Sequence, residues 1–125
     1  MTAGLLAANG YRVKQNPTSE EVARARQDSG DVGDPNADPD YLIEGRVFDC
    51  YAPATNTSVR NVWTYVKKKV LRKQTQRVVV NLQDWGGDLP ALRKQFDDWP
   101  TDGLKEVKVV LPDGSLVQFI PDPDK

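Results

Sequence analysis

Three consecutive valines, Val78-Val79-Val80, constrain the fold of this chain more than any other feature. An apolar, β-branched run without polar alternation reads as a strand buried on both faces. Such a strand needs cover above and below. Residues 58–76 supply one layer: Val59, Val62, Val66 and Val70 recur at helical spacing with Trp63 beside them, and cations fill the other faces. Residues 89–99 supply a second amphipathic helix, with Leu89, Leu92, Phe96 and Trp99 on one side and Pro90 in the first turn. Strands at 107–111 and 116–120, joined by Pro112-Asp113-Gly114-Ser115, form a terminal hairpin before a proline-rich tail.

Upstream, residues 1–9 predict a short helix stopped at Asn9-Gly10, where glycine suits the left-handed C-terminal position. Residues 11–15 alternate like a strand. Residues 19–27 suit a short helix capped by Ser19, with Glu20 and Glu21 in its first turn. Residues 28–39, rich in Asp, Gly and Pro, read as a mobile loop. Residues 41–51 read as a β-hairpin turning at Glu44-Gly45. The order is helix, strand, hairpin, helix, strand, helix, hairpin. It defines an α/β or α+β fold, a mixed β-sheet flanked by helices, in one domain spanning residues 1–125.

The chain has no histidine and one cysteine, Cys50. A serine or cysteine triad of the usual kind is excluded, and so is an internal disulfide. Any catalysis must use carboxylates, Lys, Arg, Tyr or a hard metal ion. No apolar run approaches the roughly 18 residues needed to cross a membrane, so this domain is not expected to insert in one.

A formal net charge of -1 conceals a sharp division. Residues 50–82 contain no acid but carry Arg60, Lys67, Lys68, Lys69, Arg72, Lys73 and Arg77. Residues 19–49 hold the acidic counterpart. Such asymmetry suits a polyanionic partner, and equally a solvated helix face.

The hairpin register singles out two acids. With Glu44-Gly45 as the turn, Ile43 pairs with Arg46, Leu42 with Val47 and Tyr41 with Phe48, and Asp40 then faces Asp49. Opposed side chains lie roughly 4.5–5.5 Å apart at Cβ, so the two carboxylates repel. A divalent metal, a shared proton or a neighbouring Lys or Arg would relieve this, as would water at frayed strand ends. Tyr51 projects on the same face as Asp49, either toward a phosphate or as a half-buried strand aromatic. Ser58 suits the N-cap of the basic helix, whose start favours phosphate, with Arg60 and Asn61 in the first turn. Lys67, Lys68, Arg72 and Lys73 are placed to follow a nucleic-acid backbone. Gln74, Gln76 and Arg77 stand at the entry to the Val78 strand.

The segment Asp38-Pro39-Asp40-Tyr41-Leu42-Ile43-Glu44-Gly45-Arg46-Val47-Phe48-Asp49 resembles a signature of the C-terminal nuclease domains of contact-dependent growth inhibition (CdiA-type) toxins. The likeness continues through Pro53, Ser58-Val59-Arg60-Asn61-Val62, Lys73-Gln74 with Arg77, Val78 to Leu82, Leu92 to Phe96 and Gly103 to Val107. It spans about residues 5–120, with residues 18–39 as a loop or insertion. The resemblance implies a toxin module at the end of a large secreted or surface protein. It would act in the cytoplasm of a neighbouring bacterium and be blocked in the producer by a cognate immunity protein.

Related domains are tRNA nucleases, several with a PD-(D/E)xK core of helix, three strands, helix and strand. Its metal-binding acids sit on the second and third strands, where Asp40 and Asp49 fall. The lysine usual two residues after the second acid is here Tyr51, and Lys67 of the helix is a candidate replacement. The expectation is a tRNA-directed endoribonuclease. Asp40 and Asp49 would hold Mg²⁺ or Zn²⁺, and Arg60 and Lys67 would neutralise phosphate charge. Ser58, Asn61, Lys68, Arg72, Lys73, Gln74 and Arg77 would hold RNA. A metal-independent scheme would instead use Asp49, Tyr51 and Arg60 for attack by the RNA 2′-hydroxyl. The rivals are a DNase on the same core and a non-enzymatic immunity-type module whose acidic loop mimics nucleic acid.

Overall fold

The computed structural model describes residues 2–121. Most of the proline-rich tail lies outside the described residues. Ten elements follow in order: α1 (Thr2–Ala8), β1 (Val13–Gln15), α2 (Ser19–Ser29), β2 (Tyr41–Ile43), β3 (Arg46–Tyr51), α3 (Val59–Leu71), β4 (Arg77–Asn81), α4 (Leu89–Asp98), β5 (Glu106–Val110) and β6 (Leu116–Ile120). The strands form one mixed sheet in sequence order, β1-β2-β3-β4-β5-β6. The β3–β4 and β4–β5 pairs are parallel and joined through α3 and α4; the outer pairs are antiparallel. The expected order of helix, three strands, helix and strand is present, with α2 interposed between β1 and β2.

Val78-Val79-Val80 behaves as its sequence requires. All three valines are fully buried. Val78 and Val80 pack with Val107 and Val109 beneath Val62 and Val66 of α3 and Leu92 and Phe96 of α4. Val79 points to the other face, against Leu6 of α1, Ile43, Phe48 and Val110. Apolar burial on this scale, at roughly 1.5–3 kcal/mol per large side chain, is what fixes α3 over the sheet.

Helix α2 joins the same side as α3, where Val22 and Ala25 pack on Val47 and Leu42. It runs two residues further than expected, and Thr18 caps it instead of Ser19. The Thr18 hydroxyl accepts from Glu21 N, while the Glu21 carboxylate accepts from Thr18 N. This reciprocal box fixes the first turn one residue earlier than the Ser19 reading.

Residues 30–40 contain no helix or strand, yet they are fastened at several points, unlike the mobile loop read from composition. Asp31 is buried and takes Arg77 at 2.7 Å and Lys105 at 2.9 Å. Arg26 donates to the Asp34 carbonyl and, 2.9 Å away, to that of Gln74. Asp34 N donates to the Lys73 carbonyl. Asp and Gly suggest freedom only until cations from elsewhere in the chain are placed beside them.

Candidate active site at the strand fork

The hairpin has the expected register, Ile43 to Arg46, Leu42 to Val47 and Tyr41 to Phe48. Glu44 (φ 50°) and Gly45 (φ 76°) both adopt the left-handed conformation of a tight two-residue turn. The β2–β3 ladder ends at Phe48, and the β3–β4 ladder starts at Asp49. Strand β3 thus exchanges its partner on one edge for a partner on the other, and Asp40 and Asp49 lie at this fork.

The two acids are brought together, and a neighbouring lysine, one of the expected devices, relieves their repulsion together with main-chain and side-chain N–H donors. Asp40 N donates to Asp49 Oδ1, and Cys50 N donates to Asp40 Oδ2, both at 2.9 Å. Each carboxylate therefore continues the ladder as an acceptor where the main chain has left it. The other oxygen of Asp49 accepts from the Gln74 side-chain amide at 2.8 Å and lies 3.3 Å from Lys69 Nζ. Asp49 is only 1 % exposed, and the Lys69 side chain 11 %. Burial pushes the Asp49 carboxyl above the usual range, against the pull of Lys69 and of the Asp40 N–H.

Lysine is thus supplied from α3, but it is Lys69 and not Lys67. At 3.6 residues per turn these two positions point about 200° apart. The buried stripe Val62, Val66 and Val70 turns Lys69 toward β3. Lys67 instead sits over the Trp63 ring and, with Arg60, lines a groove against α4. Arg60 is therefore not gathered with Asp49 and Tyr51, and the trio of the metal-independent scheme is not assembled. The Tyr51 ring stacks on Tyr65, centroids 3.9 Å apart. Burial raises its hydroxyl, which stays protonated at neutral pH.

Helix α3 stops at Leu71, five residues short of the expected end. Arg72 and Lys73 turn the chain, with Lys73 left-handed at φ 58°, and this reversal delivers Gln74 to Asp49. Gln74 is thus a site residue rather than an outward RNA contact. Arg77 also departs from expectation: it is held between Asp31 and Glu106 at 2.7 and 2.5 Å and faces no open surface for RNA. Gln76 binds the loop through Val32 N. Ser58 caps α3 by accepting from Asn61 N, and Asn61, Lys68, Arg72 and Lys73 are exposed.

Mg²⁺ is commonly held by one or two carboxylates while keeping several waters. Asp40 and Asp49 are carboxylates of that kind, with Asp40 partly exposed and the Asp49 oxygens occupied by N–H groups of Asp40, Gln74 and Lys69. Zn²⁺ seeks three or four protein ligands including His or Cys. Among the described residues no group of three such side chains occurs, and the Cys50 thiol is turned to Thr2 on the opposite face of the sheet.

A mixed-sheet domain with paired acids, a half-buried lysine at the fork and a basic crossover helix is the class defined by this geometry. The family model of the contact-dependent growth inhibition CdiA C-terminal domain matches residues 37–116, and the chain belongs to that family. It is 41% identical over 109 residues to a protein of Burkholderia pseudomallei (strain 1026b) named tRNA nuclease CdiA-2. That match covers 87% of this chain and 3% of the relative, so the chain spans a small fraction of the relative's length. It also resembles a solved structure described as a CdiA-CT/CdiI toxin and immunity complex from Burkholderia pseudomallei. The TM-score is 0.76 at 35% identity, covering 96% of this chain and 80% of that one. No helix among the described residues is long and apolar enough to cross a membrane.

Proposed function

We propose that this domain is an endoribonuclease that cleaves tRNA inside a target bacterium and is held inactive in its producer by a cognate immunity protein. The observation that carries the reading is the convergence of Asp40, Asp49, Lys69 and Gln74 at the fork of β3. The name of the Burkholderia relative supports tRNA as the substrate, and the toxin and immunity complex supports the partner.

In this reading the scissile phosphodiester lies over the fork. Lys69 lends its positive charge to the phosphate as negative charge grows on it. Gln74 and the Asp40 N–H hold the Asp49 carboxylate in one orientation. Asp40 and Asp49 would hold Mg²⁺, which when bound supplies Lewis-acid stabilisation of phosphate oxygens. Lys68, Arg72 and Lys73, exposed around the last turns of α3, carry the flanking RNA backbone.

Incubating the purified domain with total tRNA and, separately, plasmid DNA, with and without EDTA, tests substrate and metal together. Cleavage of tRNA alone, absent in Asp49→Asn, is the expected result. Cleavage of plasmid in preference to tRNA would replace the reading with that of a DNase.

A further inference from the structure

The groove between α3 and α4 stands apart from the fork. Arg60, Trp63 and Lys67 face it from α3, Gln95 and Trp99 from α4, around a cavity of about 360 Å³. Its floor is fixed: the Trp63 indole N–H donates to the Trp99 carbonyl at 3.0 Å, and Lys67 Nζ lies 5.0 Å from the Trp63 ring centre. Its rim is open, with Trp99 62 % exposed. Among the described residues no acid forms a salt bridge with Arg60 or Lys67.

An exposed indole beside two cations that have no acid partner among the described residues matches the two surfaces of a nucleotide. The aromatic face stacks a base of any identity, and the cations take phosphate. A base inside a duplex has both faces covered, so this combination selects an unpaired one. The groove and the fork are also two sides of one helix. The exposed face of α3 between them carries Asn61 and Lys68, and α3 contains no acidic residue. A polyanion seated in the groove meets no opposing charge from α3 as it crosses toward Lys69.

We propose that the groove is a second RNA site that holds one unpaired nucleotide of the substrate. The base lies on the Trp99 indole, and Arg60 and Lys67 hold the adjoining phosphates. The proposal rests on RNA being the substrate, as above.

The test uses Asp49→Asn, which binds without cutting, and two probes, a short unpaired RNA and a blunt RNA duplex of equal length. The unpaired probe is expected to bind more tightly. Adding Trp99→Ala weakens that binding roughly tenfold and abolishes the preference, while Trp99→Phe restores most of it. Arg60→Gln with Lys67→Gln lowers the salt dependence by about one to two phosphate contacts. In the cleaving domain the Trp99→Ala loss falls on KM rather than kcat. Unchanged binding of both probes by the Trp99→Ala variant, with cleavage intact in Trp99→Ala alone, overturns the groove and leaves the nuclease reading standing. So does a Trp99→Ala domain that keeps its RNA affinity but no longer binds its cognate immunity protein, which assigns the groove to the protein. A wild-type domain that neither binds nor cuts RNA removes the substrate reading and the groove's role with it.

Discussion

The side-chain amide of Gln74 donates to the Asp49 carboxylate at 2.8 Å across 25 positions of sequence. This bond ties the end of the crossover helix to the fork, and it makes Asp49 the most heavily partnered acid of the candidate site. Asp49→Asn keeps the shape of that side chain and its capacity to accept from Asp40 N, but removes the charge facing Lys69. Cleavage of tRNA is expected to fall at least about a hundredfold with an unaltered circular dichroism spectrum.

Lys69→Met removes the cation nearest the proposed phosphate and leaves a buried carboxylate without its ion pair. A loss of about a hundred- to a thousandfold in kcat is expected, together with a lower denaturant midpoint. Measuring kcat well below the unfolding transition separates the two effects. A fully active Lys69→Met enzyme would show that phosphate charge is met elsewhere.

Metal dependence follows from the donor set at Asp40 and Asp49. EDTA is expected to stop cleavage, and Mg²⁺ to restore it in preference to Zn²⁺. The melting temperature in EDTA should stay close to that of the untreated domain, because the fork is already held by main-chain and side-chain N–H groups.

Arg77 is expected to act on stability alone, since it is held between Asp31 and Glu106. Arg77→Met leaves Asp31 and Glu106 with less than their full set of buried partners, and a loss of about 3 kcal/mol is expected in urea unfolding. The salt dependence of RNA binding should not change. A reduced salt slope in a folded Arg77→Met domain would return Arg77 to the RNA contacts.

The same cluster sets the acid limit of the fold. Burial pushes the Asp31 carboxyl up, but hydrogen bonds from Arg77 and Lys105 outweigh it and hold it below its ordinary range. For Glu106 burial is likewise outweighed, by Gln118, Lys108 and Arg77. With folded pKa values depressed, the unfolded chain binds more protons in the acid range. The stabilisation is complete above the unfolded values of about 4 and is lost as pH falls through the folded ones. A melting temperature nearly level from neutral pH down to about 5, falling below about 4, is expected, with a shallower fall in Asp31→Asn.

Much of this was legible before any coordinates. Val78-Val79-Val80 declared a central strand, and the Glu44-Gly45 turn placed Asp40 beside Asp49, because turn length and β-branching act locally. Three adjacent lysines, Lys67 to Lys69, could not be told apart, because which of them meets β3 depends on how the Val62 stripe docks on the sheet. The early end of α3 was hidden for a similar reason: Lys73 adopts a conformation that its residue type does not advertise. The anchoring of residues 30–40 rests on Arg26, Arg77 and Lys105, whose spatial proximity no spacing rule reveals.

The fork also implies an order of events. The Glu44-Gly45 turn joins its strands directly, whereas Lys69 and Gln74 reach Asp49 across 20 and 25 positions and only after α3 has settled on the sheet. Short loops close at lower entropic cost than long ones. On that ground the two acids are expected to come side by side before the lysine joins them. With Lys69 meeting the phosphate as proposed, activity on refolding is expected to lag behind formation of the hairpin.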